Sequence, residues 1–215
     1  MRLVTFGCSH TFGAGLPDVW NFENHTPIFT QGPSKYAWPQ LLADKLNIEC
    51  VNAGQPGASN KEVWYHIINT KFKKNDIVII LWPQLPRWCI IRKDRIDRIG
   101  PFAFDNKTAM TRDEVSRSKS YLKYMYEEND HFTDYFMRVD YVTMFLKNKI
   151  KILKHYESMK TISHPDWFIS QFKKETFLED VLHKHPKALD DEHAGEEGNK
   201  VFATSIYNEI KNEIT

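Results

Sequence analysis

The stretch that most constrains the fold is DIVIILW, residues 76–82, one aspartate followed by six apolar side chains and closed by Pro83. A run this short and this uniformly apolar suits a strand buried on both faces, the situation of a central strand in a parallel sheet. Residues 2–6, RLVTF, have the same character and end at Gly7. Between these two runs, Trp38, Leu41, Leu42 and Leu46 recur at helical spacing, with Pro39 suited to a first turn. Residues 48–52 read as a second strand, and Val63, Trp64, Ile67 and Ile68 mark a second helix capped by Ser59 or Asn60. Strands alternating with helices over the first 82 residues predict an α/β fold, a three-layer α/β/α sandwich with a mostly parallel central sheet. In such sheets ligands gather at the carboxyl ends of the strands.

The rest of the chain departs from that rhythm in places. Residues 8–35 hold Gly13, Gly15, Pro17, Pro27, Gly32 and Pro33 and are expected to form a long loop. Its aromatics, Trp20, Phe22 and Phe29, either wall a substrate cleft or form a satellite cluster that pins the loop. Residues 52–60, NAGQPGASN, are expected to lie outside helix and strand. Residues 83–128 read as an insertion. Its basic part, RWCIIRKDRIDRIG, is a surface hairpin or helix whose arginines share the segment with Asp94 and Asp97, which favours a solvated face over a nucleic-acid patch. A helix over 131–147, a strand over 149–155, a helix over 166–184 and a last helix bearing Val201, Phe202, Ile206, Tyr207 and Ile210 complete the prediction of one domain over 1–215.

Charge and cysteine usage exclude several functions. With 29 basic and 28 acidic residues the net charge is +1, which gives no bulk field for nucleic acid or a membrane surface. Cys8, Cys50 and Cys89 are too few and too scattered for a disulfide framework or a zinc site, and read as reduced thiols. The apolar run at the amino terminus is too short for a signal peptide and no run of eighteen apolar residues occurs, so the expectation is a cytoplasmic protein. No cofactor is expected, because GAG at 13–15 lacks a third glycine and GxxxxGK[ST] does not occur. His183, His185, Asp190, Asp191 and His193 contain an HxH spacing, but Pro186 breaks the segment, and no metal is expected. Oligomeric state is left open.

Chemistry points to Ser9, delivered at the end of the first strand. A hydroxyl needs a general base, and the base needs an orienting carboxylate. In LDDEHAGEEGN, Asp190 stands three residues before His193, a spacing that lets the carboxylate fold back onto its own histidine's Nδ1. GxSxT after the first strand, NxGxxGxSN after the second, an apolar third strand followed by the amide of Gln84, and DxxH before the last helix occur in that order.

This set of motifs resembles the SGNH, or GDSL-like, hydrolase superfamily, from end to end apart from the insertion. FGCSHTFGAG, GASN and the pair Trp82 and Arg87 resemble small bacteriophage-encoded members, for which a virion or the host cytoplasm would be the location. The resemblance implies a flavodoxin-like sheet of SGNH hydrolase type. It implies Ser9 as acyl-accepting nucleophile, His193 as general base and then acid, and Asp190 as its orienting group. It also implies an oxyanion hole from the N–H groups of Ser9 and Gly57, such donors being worth about 2.7 to 4 kcal/mol each. Asn60 and Arg87 are candidates for binding substrate. The family's aspartate before the serine is Cys8 here, and Gln84 stands where an asparagine amide normally completes the oxyanion hole. The implied activity is hydrolysis of an ester, such as an O-acetyl group on a carbohydrate. The alternative is a weak or inactive scaffold that binds a glycan or a protein.

Overall fold

The computed structural model describes residues 1–104, 110–158 and 184–214. Strands are β1 (Arg2–Gly7), β2 (Trp20–Asn21), β3 (Thr26–Pro27), β4 (Glu49–Gly54), β5 (Ile77–Trp82), β6 (Trp88–Ile91), β7 (Ile96–Ile99) and β8 (Ile152–Glu157). Helices are α1 (Ser9–Phe12), α2 (Trp38–Leu46), α3 (Asn60–Ile68), α4 (Arg112–Tyr124), α5 (Glu128–Leu146) and α6 (Glu196–Ile214). β4, β1, β5 and β8 form one sheet in that order, every pair parallel. The apolar runs occupy the two interior positions, β1 and β5, where each strand is covered on both faces. The mixed sequences of β4 and β8 sit at the edges.

Alternation along β5 divides the core. Ile77, Ile79 and Leu81 join Leu3 and pack under α2 and α6 through Trp38, Leu42, Phe202 and Ile206. Val78, Ile80 and Trp82 join Val4 and Phe6 under α3 and α5 through Val63, Ile67, Tyr135 and Val142. This is the expected α/β/α sandwich. Ile79 is wholly buried, and truncating it to alanine is expected to cost about 2 to 5 kcal/mol.

Several boundaries differ from the sequence prediction. The 8–35 loop opens with α1, and its apolar side chains form a small core of their own: Phe12, Leu16, Val19 and Ala37 pack together, Phe29 meets Phe12 edge-on and Phe22 is exposed. β4 runs on to Gly54 because pairing with β1 overrides the weak strand propensity of the glycine. The basic segment is the β6–β7 hairpin, and three of its arginines are answered by acids: Arg92 and Arg95, together with Arg117 of α4, surround Asp97, while Arg98 grips the buried Glu62 of α3 at 2.6 Å. The insertion also holds α4, opened by a Thr111–Glu114 capping box. α5 begins at Glu128 rather than His131, and the fourth sheet strand, β8, lies at Ile152–Glu157 rather than 149–155. The predicted helix over 166–184 lies outside the described residues, save Lys184. Cys8 and Cys89 are buried free thiols, and Cys50 is half-buried and free. Among the described residues no helix is long and apolar enough to cross a membrane.

Candidate active site

Ser9 is placed by the tight exit from β1. A side chain on Gly7 would put its Cβ 2.1 Å from Thr11 Oγ1 and 2.8 Å from the Leu81 carbonyl oxygen, so only glycine lets the chain leave β1 here and turn at once into α1. Thr11 and Phe12 donate their N–H groups to the Cys8 carbonyl at 3.0 Å, and Ser9 becomes the first residue of α1. Its N–H is one of the donors that a helix start leaves without an intrahelical acceptor. Asn52 braces the turn: its Nδ2 donates to the Thr11 carbonyl at 2.7 Å, and its Oδ1 accepts the N–H of Gly54 at 2.9 Å. Ser9 follows the carboxyl end of β1, one of the two strands between which sheet order reverses, and is 7% exposed.

The acid and base come from one turn at the far end of the chain. Asp190 Oδ1 accepts the backbone N–H groups of Glu192 and His193, both at 3.0 Å, and Asp191 takes a left-handed φ of 61° that aspartate tolerates. Asp190 Oδ2 meets His193 Nδ1 at 2.6 Å, and His193 Nε2 meets Ser9 Oγ at 2.7 Å. Burial would raise the Asp190 pKa, but the bonds from His193 and the backbone outweigh it and hold the carboxyl down to about 2. An ionised carboxylate only accepts, so Nδ1 carries the proton, and Nε2 offers its lone pair to the Ser9 hydroxyl.

Two residues of this site are not singled out by sequence. Gly15, with φ 78°, lies against the Asp190 carboxyl group, and a Cβ there would stand 2.5 Å from Oδ2; the Gly15 carbonyl accepts the Leu189 N–H at 3.0 Å. The GAG of residues 13–15 therefore docks the acid turn. His10 packs its ring 4.7 Å from that of His193, and burial, His193 and Arg87 together push its pKa well below the ordinary range, so it is neutral. The adjacency of His10 to Ser9 was the only hint to its position.

The remaining candidates take their places around this line. Ser59 rather than Asn60 caps α3, accepting the Glu62 N–H at 3.3 Å, and Asn60 is buried with Oδ1 unpartnered among the described residues. A Cβ on Gly57 would lie 3.3 Å from Arg98 Cδ and 4.0 Å from the Phe102 ring, so the insertion leans on the Gly57 loop. The guanidinium of Arg87 sits 5.9 Å from the same ring. Gln84 is half-buried just beyond β5, and its amide makes no hydrogen bond among the described residues. No three potential metal ligands cluster among the described residues. A hollow lined by Met1, Lys74, Ile150, Lys151 and Ile214 lies at the opposite, amino ends of the strands, and no serine, cysteine or histidine lines it.

No protein-family model matches the chain, and no curated protein sequence matches it. Among solved structures, an acetyl xylan esterase from the rumen bacterium Butyrivibrio proteoclasticus is similar at 12% identity over 99% of this chain and 64% of its own, with a TM-score of 0.49. A member of the lipolytic protein G-D-S-L family from Veillonella parvula DSM 2008 is similar at 12% identity over 99% of this chain and 98% of its own, with a TM-score of 0.50. The chain thus shares the α/β fold of that G-D-S-L protein along nearly the whole length of both.

Proposed function

We propose that the chain is a serine esterase of SGNH type acting through Ser9. The observation that carries this reading is the unbroken line from Asp190 through His193 to Ser9 Oγ, a 2.6 Å contact within one turn and a 2.7 Å contact between residues 184 positions apart. Ser9 Oγ attacks the ester carbonyl as its proton passes to His193 Nε2, and Asp190 stabilises the imidazolium so formed. The N–H groups of Ser9 and Gly57 receive the oxyanion, with the Gln84 amide as a third donor. Collapse expels the alcohol, which takes the proton from His193. Water, deprotonated in turn by His193, then releases the acid and restores Ser9. The low exposure of Ser9, hemmed in by His10 and His193, favours a short acyl group such as acetyl. A carbohydrate as the alcohol is the reading carried over from the family resemblance.

Reaction of the folded protein with a fluorophosphonate probe tests this. Labelling of Ser9 that is lost in Ser9→Ala and His193→Ala is expected. No labelling at any pH from 6 to 9 would overturn the esterase in favour of a binding scaffold, the reading that the Gln84 substitution motivates.

A further inference from the structure

A guanidinium keeps its charge at every working pH, and burying its N–H groups without an acceptor is costly. Arg2, Arg92, Arg95, Arg98, Arg117 and Arg138 each meet a carboxylate at 2.6 to 2.9 Å. Arg87 does not. Its Nε and Nη1 are shut off from solvent and have no hydrogen-bond partner among the described residues. The side chain lies past the carboxyl end of β5, the end at which Ser9 leaves β1. Phe102, which it faces at 5.9 Å, is the ring that also borders Gly57. The charge of Arg87 is felt at His10, whose ring packs on His193.

Among the described residues no carboxylate hydrogen-bonds Nε or Nη1 of Arg87. His10 is neutral, and its Nδ1 is buried without a partner. Asp190 spends Oδ2 on His193 Nδ1 and Oδ1 on two backbone N–H groups. Asn60 adds a buried, unpartnered acceptor, Oδ1, suited to a hydroxyl. Orphaned polar atoms thus belong to His10, Asn60 and Arg87, in the segments that follow the carboxyl ends of β1, β4 and β5, and the cation among them calls for an anion. A carboxylate is planar, matches a guanidinium with charge-assisted hydrogen bonds, and leaves the ester carbonyl free to react.

We propose that Arg87 binds a carboxylate on the substrate, so that the preferred substrates are esters of acidic molecules. The proposal rests on the esterase reading, and its test separates the two. Mono-4-nitrophenyl succinate against 4-nitrophenyl butyrate places the carboxylate on the acyl side. Acetylated methyl glucuronoside against acetylated methyl glucoside places it on the alcohol side. For one pair kcat/KM is expected to favour the acidic ester by about 10- to 100-fold. In Arg87→Met that ratio falls toward one, and Arg87→Lys, which keeps the charge without the planar fork, lies between. A melting curve for each variant shows that it is folded.

No preference for either acidic ester, a preference that survives Arg87→Met, or an equal loss on acidic and neutral esters would overturn the proposal, the last because it places Arg87 at the reacting atoms. If a folded protein hydrolyses none of the four, the esterase reading fails. Thermal shifts with succinate and methyl glucuronoside then decide: stabilisation of wild type that is absent in Arg87→Met upholds a carboxylate site, and no stabilisation overturns it.

Discussion

His193 and His155 each have both ring nitrogens engaged, in opposite settings. His193 lies between the Asp190 carboxylate at 2.6 Å and the Ser9 hydroxyl at 2.7 Å, with 18% of its side chain exposed. His155 on β8 lies between the indole N–H of Trp82 and the Thr143 hydroxyl, both at 3.1 Å, and is buried. Trp82 donates to Nδ1, so Nε2 carries the hydrogen; it donates to Thr143, whose own proton goes to the Val139 carbonyl at 2.9 Å. Trp82 and Thr143 both fit the neutral ring, and burial pushes the His155 pKa down to about 4. Asp190 does the reverse for His193, since in the proposed mechanism its carboxylate stabilises the imidazolium formed as Ser9 gives up its proton. The difference teaches that two hydrogen bonds alone do not make a base. The proposed mechanism also needs an anionic partner on one side and a nucleophilic hydroxyl on the other.

The largest effects should come from breaking the His193 arrangement. Ser9→Ala and His193→Ala are each expected to lower kcat on 4-nitrophenyl acetate by about 10⁴-fold or more. Asp190→Asn, which keeps the shape but turns an acceptor into a donor and favours the wrong tautomer, should cost about 10³- to 10⁴-fold. A smaller loss for Asp190→Asn than for Asp190→Ala would show that the carboxylate mainly positions the ring. Next comes Gly15→Ala. Its Cβ enters the space of the Asp190 carboxyl group, and φ 78° strains alanine as well, so a loss of about 100-fold in kcat is expected without any catalytic side chain being altered. Unchanged kcat in a folded Gly15→Ala protein would show that the acid turn can shift without cost.

What was legible in the sequence and what was not follows from distance along the chain. β1 and β5 are readable because burial on both faces leaves no room for polar residues in a short run, and that is a local property of RLVTF and IVIILW. The acid turn is readable because Asp190 and His193 are three residues apart and their contact closes within one turn. α1 escapes the eye, since SHTF has neither length nor a side-chain cap and is created by the exit from β1. Gly15 against Asp190, Arg98 against Glu62 and the solitary state of Arg87 are fixed by packing between segments that are remote in sequence. A basic stretch shows its arginines but not which carboxylates answer them.

The smallest effect sharpens the other half of the comparison. An unfolded histidine titrates near 6.5, whereas native His155 stays neutral down to about 4. Above pH 6.5 both states are neutral and His155 adds no pH dependence. Between 6.5 and 4 the unfolded chain takes up a proton that the native protein refuses, so stability falls as pH falls, by about 2 kcal/mol at pH 5. His10 and His131, also depressed by burial, act in the same direction. Asp190 joins only below its unfolded value near 3.9, as its native carboxyl at about 2 loses its advantage. His155→Gln places an amide between Trp82 and Thr143 and does not titrate. Urea unfolding at pH 7.5 and pH 5 should therefore show a smaller pH-dependent loss in His155→Gln than in wild type, by about 2 kcal/mol. An identical loss in both proteins would mean that His155 takes up its proton inside the folded core, and the contrast drawn with His193 would then fail.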